Sequence, residues 1–154
     1  MIRNRISYWY PIAKSFRDYL DGLTDEDGNR LLGDYPISVG SRGAGKQTYP
    51  CVEIIFKAET GIDLPSPREG AVNLWVYVYV KDSSKEPQNG YEKQDEIQQI
   101  ILNSLQGRSL PEYIYQNVGV IGTAIDIDSI DSDTDLNRPV MLARINVYVG
   151  WKQP

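Results

Sequence analysis

One segment of this 154-residue chain carries residue types whose spacing could bind a phosphate. Residues 40–47, Gly-Ser-Arg-Gly-Ala-Gly-Lys-Gln, follow the phosphate-binding loop pattern up to the last position, where Gln47 replaces the hydroxyl residue that ligates magnesium. Such a loop binds phosphate because it opens a helix whose amides face the anion. Here Pro50 blocks a helix and the chain enters an expected strand. We interpret the segment as an interstrand loop in which Arg42 and Lys46 are candidate contacts for a partner.

A second segment, residues 126–135, is strongly acidic and resembles a calcium loop in composition. An EF-hand loop requires glycine at its sixth position and glutamate at its twelfth. Counted from Asp131, those positions hold Leu136 and Leu142, so we expect no metal site. Aspartates this close repel one another unless a cation or a basic partner lies among them. We predict a solvated, partner-contacting loop with five carboxylates: Asp126, Asp128, Asp131, Asp133 and Asp135.

The composition excludes several kinds of catalytic site. The chain has no histidine, so it cannot contain a Ser–His or Cys–His nucleophile pair or a zinc site built on imidazole. Its single cysteine, Cys51, cannot form an internal disulfide. The net charge of −5 argues against a protein that coats nucleic acid. Since no serine or lysine lies in a nucleophile motif, we expect no catalytic residue and no cofactor.

Hydrophobic periodicity predicts the elements that position these segments. Helical spacing indicates helices over residues 11–23 and 91–105, and period-2 alternation or a short apolar run indicates strands over 35–39, 52–59, 72–81, 118–127 and 140–152. The prediction is one α+β domain over residues 1–154, with a mainly antiparallel β-sheet and two principal helices packed on one face. The longest apolar run, residues 74–80, is too short to cross a membrane, so we expect a soluble protein.

The strand predicted over residues 72–81 has two different faces. One is wholly aliphatic, and the other carries Trp75, Tyr77 and Tyr79. These rings could pack beneath the first helix or against Tyr8-Trp9-Tyr10, or form a subunit interface, where Tyr and Trp are enriched. We weigh these two interpretations equally. Stacking of nucleic-acid bases ranks below both, because Lys81 is the only basic residue on the strand.

The order of these parts resembles the tail-terminator (tail-completion, head–tail joining) proteins of long-tailed bacteriophages and prophages. The resemblance covers the chain from about residue 36 onward. It depends on the long strand Asn-Leu-Trp-Val-Tyr-Val-Tyr-Val-Lys at 73–81, the helix at 91–105 and the final segment 138–151. It involves size, element order and the last strand rather than a diagnostic motif.

The resemblance implies a structural role. Family members form a ring, commonly a hexamer, that caps the polymerised tail tube and joins it to the head. It implies contacts with other copies, with the tail-tube protein and with a head-completion or connector protein. DNA would pass through without specific binding, and no membrane would be involved. The protein would belong to the tail or neck of a virion, and to the host cytoplasm during assembly.

Two alternatives remain at this stage. One is another ring component of the neck or tail tube. The other is a small ligand-binding or enzymatic α+β domain with carboxylates such as Glu53 and Glu59 on a sheet face. In a ring, the acidic segment would either line the channel, where negative charge repels DNA, or dock onto a basic surface.

Overall fold

The computed structural model describes residues 7–41, 48–61, 69–106, 109–132 and 139–154. These residues form a five-stranded sheet in the order β1-β2-β3-β5-β4, which is antiparallel except between β1 and β2. The α+β prediction is confirmed. No helix in these ranges is long and apolar enough to cross a membrane. The elements are α1 Trp9–Asp21, β1 Ile37–Val39, β2 Cys51–Thr60, β3 Glu69–Lys81, α2 Pro87–Gln106, α3 Ser109–Val118, β4 Ile121–Ser132 and β5 Val140–Lys152.

The core forms between the aliphatic face of the sheet and the helices. The alternate residues of β3 are almost fully buried and join one cluster with β5 and with the apolar stripes of α1 and α2. Burying each such side chain contributes about 1.5–3 kcal/mol. The central members are Val72, Leu74, Val76, Val78, Ile145, Val147, Ile12, Phe16, Leu20, Ile97 and Ile101.

The first helix begins at Trp9, two residues before the predicted start, and ends at Asp21 rather than residue 23. A carboxylate from the sheet explains the early start. Glu59 accepts hydrogen bonds from the Tyr8 amide and the Ser7 hydroxyl, each 2.6 Å long. An anion at a helix N-terminus satisfies free amides and complements the helix dipole. The Tyr8 ring lies 4.6 Å from that of Trp151, which fixes this end of α1 on the sheet.

The second helix begins at Pro87 rather than at residue 91. The dipeptide Asn89-Gly90 is typical of a turn and accounts for the later predicted start, but both residues lie in the first turns of α2. Proline suits the first helical position because an amide hydrogen there would have no partner within the helix, so its absence costs nothing. Gly90 is buried against β5, where a Cβ atom would lie 2.4 Å from Met141 Sδ. Close packing, not a turn, therefore requires this glycine.

A third helix, α3, was not predicted. It includes Val118, which the sequence places in a strand, and it is followed by Gly119, whose φ of 82° suits the position after a helix C-terminus. The Tyr115 ring fills the space over Gly122, where a Cβ atom would lie 2.0 Å from the ring. Its hydroxyl donates a 3.1 Å hydrogen bond to the Ala124 carbonyl. Gly122 thus allows α3 to pack onto β4.

The acidic segment is not a loop over its first part. β4 continues to Ser132, so Asp126, Asp128 and Asp131 lie on an edge strand, while residues 133–138 lie outside the described ranges. The strand pairs with β5, which the alternation of its residues predicts. This pairing brings the acidic residues into the sheet. The pairing register shifts between Gly122 and Ala124 and again between Ile127 and Ser129. Such bulges interrupt the alternation by which a strand is recognised.

Replacing Gly90 by alanine should destabilise the protein, although glycine to alanine inside a helix is normally favourable by up to about 1 kcal/mol. The new methyl group would overlap Met141, and overpacking costs about 1–3 kcal/mol. Urea unfolding measures the change in the free energy of unfolding. In a Met141→Ala background the same substitution should lose most of its cost. An equal cost in both backgrounds would contradict this packing.

Candidate functional site

The face of the sheet opposite the helices, called here the outer face, carries the aromatic residues. Trp75, Tyr77 and Tyr79 lie on it and are half-buried. The helices pack on the aliphatic face, so these rings do not lie beneath α1. Of the N-terminal aromatic residues, Tyr8 contacts Trp151 and Trp9 stacks on Phe56 at 4.6 Å. The first of the two favoured interpretations is therefore wrong.

The three rings form a continuous row along β3. Trp75 and Tyr77 meet edge to face, with centroids 6.1 Å apart and an interplanar angle of 79°. Tyr77 and Tyr79 stack with centroids 5.9 Å apart at 20°. These are the preferred geometries for aromatic pairs. Since each ring restricts its neighbour, the row is a rigid surface that loses little side-chain entropy on binding.

Two basic side chains, one from each strand that neighbours β3, contact the indole ring of Trp75. The Arg144 guanidinium carbon lies 4.9 Å from the Trp75 ring centroid, and Lys57 Nζ lies 5.7 Å from it. Both fall within the range of a cation–π interaction. We noted only Lys81 as a basic residue here, because Arg144 and Lys57 belong to other strands and reach the rings only through the sheet pairing.

An ion pair extends the outer face to the edge strand. Arg144 donates a 2.9 Å hydrogen bond to Asp131 Oδ2, and Asn146 donates to the same oxygen at 3.0 Å and to Ser129 Oγ at 2.6 Å. The hydrogen bond from Arg144, aided by that from Asn146, lowers the pKa of the Asp131 carboxyl. Asp131 in turn raises the pKa of Arg144, as does the hydrogen bond between Arg144 and Tyr77. The charges are thus arranged in a network that supports the aromatic row.

Tyr79 ends the row in a more enclosed position. Burial raises the pKa of its hydroxyl well above the ordinary range, and the negative charge of Glu53, with a hydrogen bond to that carboxylate, raises it further. Glu53 is only 1% exposed. A tyrosine held neutral in this way is a hydrogen-bond donor and not a general base. We had considered Glu53 as a catalytic carboxylate, and its position beneath Tyr79 gives it a structural task.

Three polar atoms of the outer face are buried without a hydrogen-bond partner in the described part of the chain. They are Trp75 Nε1, Arg144 Nε and Asn146 Oδ1. Leaving such an atom unpaired costs about 1–3 kcal/mol, so buried polar groups are rarely left in this state. All three lie around one end of the aromatic row. The unpaired polar groups of the outer face are therefore concentrated around Trp75.

The remaining sequence-predicted residues are dispersed. Arg42, Lys46, Asp133 and Asp135 lie outside the described residues. Asp126 and Asp128 are exposed on β4 and make no ion pair within the described ranges. No group of three or more His, Cys, Asp or Glu residues with metal-binding geometry occurs in those ranges. Only Asp131 is therefore seen to join the site around Trp75.

A cavity of about 400 Å³ opens between α3 and β4. It is lined by Glu112, Tyr115 and the beginning of β4 from Val120 to Ile125. Burial raises the pKa of the Tyr115 hydroxyl above the ordinary range, and its hydrogen bond to Ala124 occupies it. The cavity thus combines an apolar wall with a tyrosine that is engaged in holding α3 to β4.

Comparison with known proteins finds a similarity of fold. No protein-family model matches the sequence, and no curated protein matches it. Among solved structures, the chain is similar to a chain in a structure described as the virion of a native gene transfer agent particle. The TM-score is 0.56 at 10% sequence identity, and the alignment covers 95% of this chain and 99% of that one. The two chains therefore share a fold over nearly their whole length.

The Asp131–Arg144 ion pair predicts a pH dependence of stability. Because folding lowers the pKa of Asp131, the ionised carboxylate stabilises the protein above the unfolded pKa of about 4, and this contribution disappears as pH falls through the folded pKa. Wild type should exceed Asp131→Asn in free energy of unfolding at pH 7, and the difference should shrink at pH 2–3. Urea unfolding across this range measures it.

Asp128→Asn is the matched control for that experiment. Asp128 lies on the same strand and makes no ion pair within the described residues. Its substitution should leave the free energy of unfolding unchanged at either pH. A pH-independent effect of Asp131→Asn would show that the charge of Asp131 has no role in stability.

Proposed function

We propose that this chain is a structural protein of a phage-like particle, which forms a ring, hexameric by analogy, that caps the tail tube and joins tail to head. The observation that carries the proposal is the fold shared over nearly the whole of both chains with a protein of a gene transfer agent virion. That protein belongs to an assembled particle. The element order that resembles tail terminators is a separate, sequence-based reason for the same conclusion.

The outer face supports an assembly role. It combines a rigid aromatic row with two cation–π contacts and an ion pair. Trp, Tyr and Arg are the residues that carry most of the binding energy in protein interfaces. We propose that Trp75, Tyr77 and Tyr79 contact another subunit of the particle. The role is structural rather than catalytic, since Arg144, Asp131, Tyr79 and Glu53 are engaged with one another.

The proposal specifies partners and a location. The ring contacts other copies of this chain, the tail-tube protein and a head-completion or connector protein, and DNA passes through it without specific binding. The protein is part of the virion once assembled, and lies in the host cytoplasm before that. Its acidic residues, Asp126, Asp128 and Asp131 among them, then face either the channel or a basic partner.

Addition of the protein to polymerising tail-tube subunits of the same particle tests the terminator role. Tubes should become shorter and carry one ring at an end, because the ring covers the surface on which the next subunit would add. Electron microscopy measures the length distribution. Incorporation along the tube would instead indicate a tube component, and binding to the connector alone would indicate another neck ring. Unchanged tubes together with a monomeric mass at every concentration would contradict the proposal.

Substitutions in the aromatic row test the interface. Trp75→Ala or Tyr77→Ala should weaken assembly about tenfold or more, since an interface anchor is worth about 2 kcal/mol or more. Tyr113→Ala is the control, because Tyr113 is an exposed aromatic residue of α3, on the opposite side of the sheet. Co-sedimentation with the other proteins of the particle measures assembly, and thermal unfolding checks that each variant remains folded. Equal effects of all three substitutions would exclude the outer face as the interface.

A further inference from the structure

Both edges of the sheet are open within the described residues. β4 forms one edge with twelve residues, and β1 forms the other with three. An open edge presents backbone donors and acceptors that can pair with another strand. Most of β4 is exposed, including Ile121 and Ile130, which are 44% and 47% exposed.

Rows of paired residues run across the sheet and connect β1 at one edge with the end of β4 at the other. Residue pairing gives one row from Ser38 to Asp131 through Glu53, Tyr77 and Arg144. The rows on either side connect Val39 with Ile130 and Ile37 with Ser132. The short strand β1 is therefore level with the last three residues of β4.

The edge strands also run in opposite directions. β1 is parallel to β2, and each of the three remaining neighbouring pairs is antiparallel. If two copies related by rotation about a ring axis meet edge to edge, β4 of one and β1 of the next form an antiparallel pair. This is the commoner and slightly more stable type of pairing.

The end of β4 is regular enough to pair. Both register shifts lie before Ser129, and from Ser129 to Ser132 the strand follows β5 residue by residue. Bulges discourage strand addition along the first part of an edge strand, and here they leave the last part suitable for it. The regular part includes three residues level with β1, which is itself three residues long.

A groove of about 480 Å³ runs beside β1. One wall is a stripe of α1, with Tyr10, Lys14, Arg17 and Asp21, and the other is residues 36–39. Tyr10 is 52% exposed, and Lys14 is exposed and makes no ion pair in the described ranges. A strand added to β1 would turn its helix-side residues toward this wall. On β4 the exposed apolar residue of that side level with β1 is Ile130, which pairs with the buried Ile145.

Charge favours this contact over pairing of β4 with itself. β4 carries three aspartates and no basic residue. A symmetric β4–β4 pair would bring these acidic residues together, which is destabilising. β1 carries no charged residue, so pairing of β4 with β1 avoids this repulsion.

We infer that β4 of one copy pairs antiparallel with β1 of the next, with residues 130–132 alongside residues 37–39, so that the sheet continues from subunit to subunit. This inference rests on the proposed ring. A contact between two different patches repeats head to tail, and closure of the ring removes every open edge. The lateral contact then uses the edges and leaves the outer face for a different protein of the particle.

Cysteine cross-linking tests the contact. The background is Cys51→Ala, and the test variant adds Val39→Cys and Ile130→Cys. A bismaleimide that spans about 7 Å, two strand residues, allows for some stagger between subunits. The double variant should give a ladder from dimer to closed ring, about tenfold stronger than either single variant. Ile37→Cys with Ser132→Cys, which share another row on the same face of the sheet, is a second pair should the first fail to fold.

Each outcome is decisive for the edge contact. A ladder from the double variant supports it. Dimers from Ile130→Cys alone would show β4–β4 pairing and overturn it. Rings in native mass spectrometry without any cross-linked ladder would overturn the edge contact and leave the proposed ring function intact. A monomer at all concentrations that also fails to shorten tail tubes would overturn the ring function, and the edge contact with it.

Discussion

The two-faced alternation of β3 is the constraint on which the rest of the structure depends. Its even-numbered aliphatic residues from Val72 to Val80 form the centre of the core, and its odd-numbered residues form the aromatic row. Because side chains alternate with period two, a shift of one residue would place Trp75 in the core and the valines in water. Core and outer face are thus fixed by the same register. The thirteen-residue pairing of β3 with β5 holds that register over the full length of both strands.

The same alternation explains why most of the sheet could be predicted from the sequence. In a regular strand flanked by turns, the alternation of apolar and polar residues indicates which face is buried. For this reason β2, β3 and β5 were predicted within a few residues of their observed limits. Positions where a tertiary contact overrides a local preference could not be predicted. Glu59 supplies the helix cap of α1 from a distant strand, and Gly90 is small because Met141 occupies the space above it. Neither requirement appears in the local residue pattern.

The site was predictable to the same degree. The aromatic row lies on one strand and is visible in its spacing, so Trp75, Tyr77 and Tyr79 were identified. Arg144 was not, although it contacts Trp75 and Asp131, because it reaches them only when β5 lies between β3 and β4. Helix α3 was missed for a related reason. Its C-terminal signal, Gly119, also fits the start of a strand, and the prediction assigned Val118 to that strand.

The acidity of the chain takes on a specific meaning once β4 is placed. The five aspartates of residues 126–135 account for the whole net charge, since the remaining residues balance as 16 − 16 = 0. Three of these aspartates lie on the open edge of the sheet, along with two bulges. Repulsion between like charges and an irregular backbone both oppose pairing of this edge with its own copy. Neither opposes pairing of the regular last part of β4 with β1, which carries no charged residue. An edge of this kind disfavours the symmetric dimer and still permits a head-to-tail contact, which is the selectivity that the proposed ring requires.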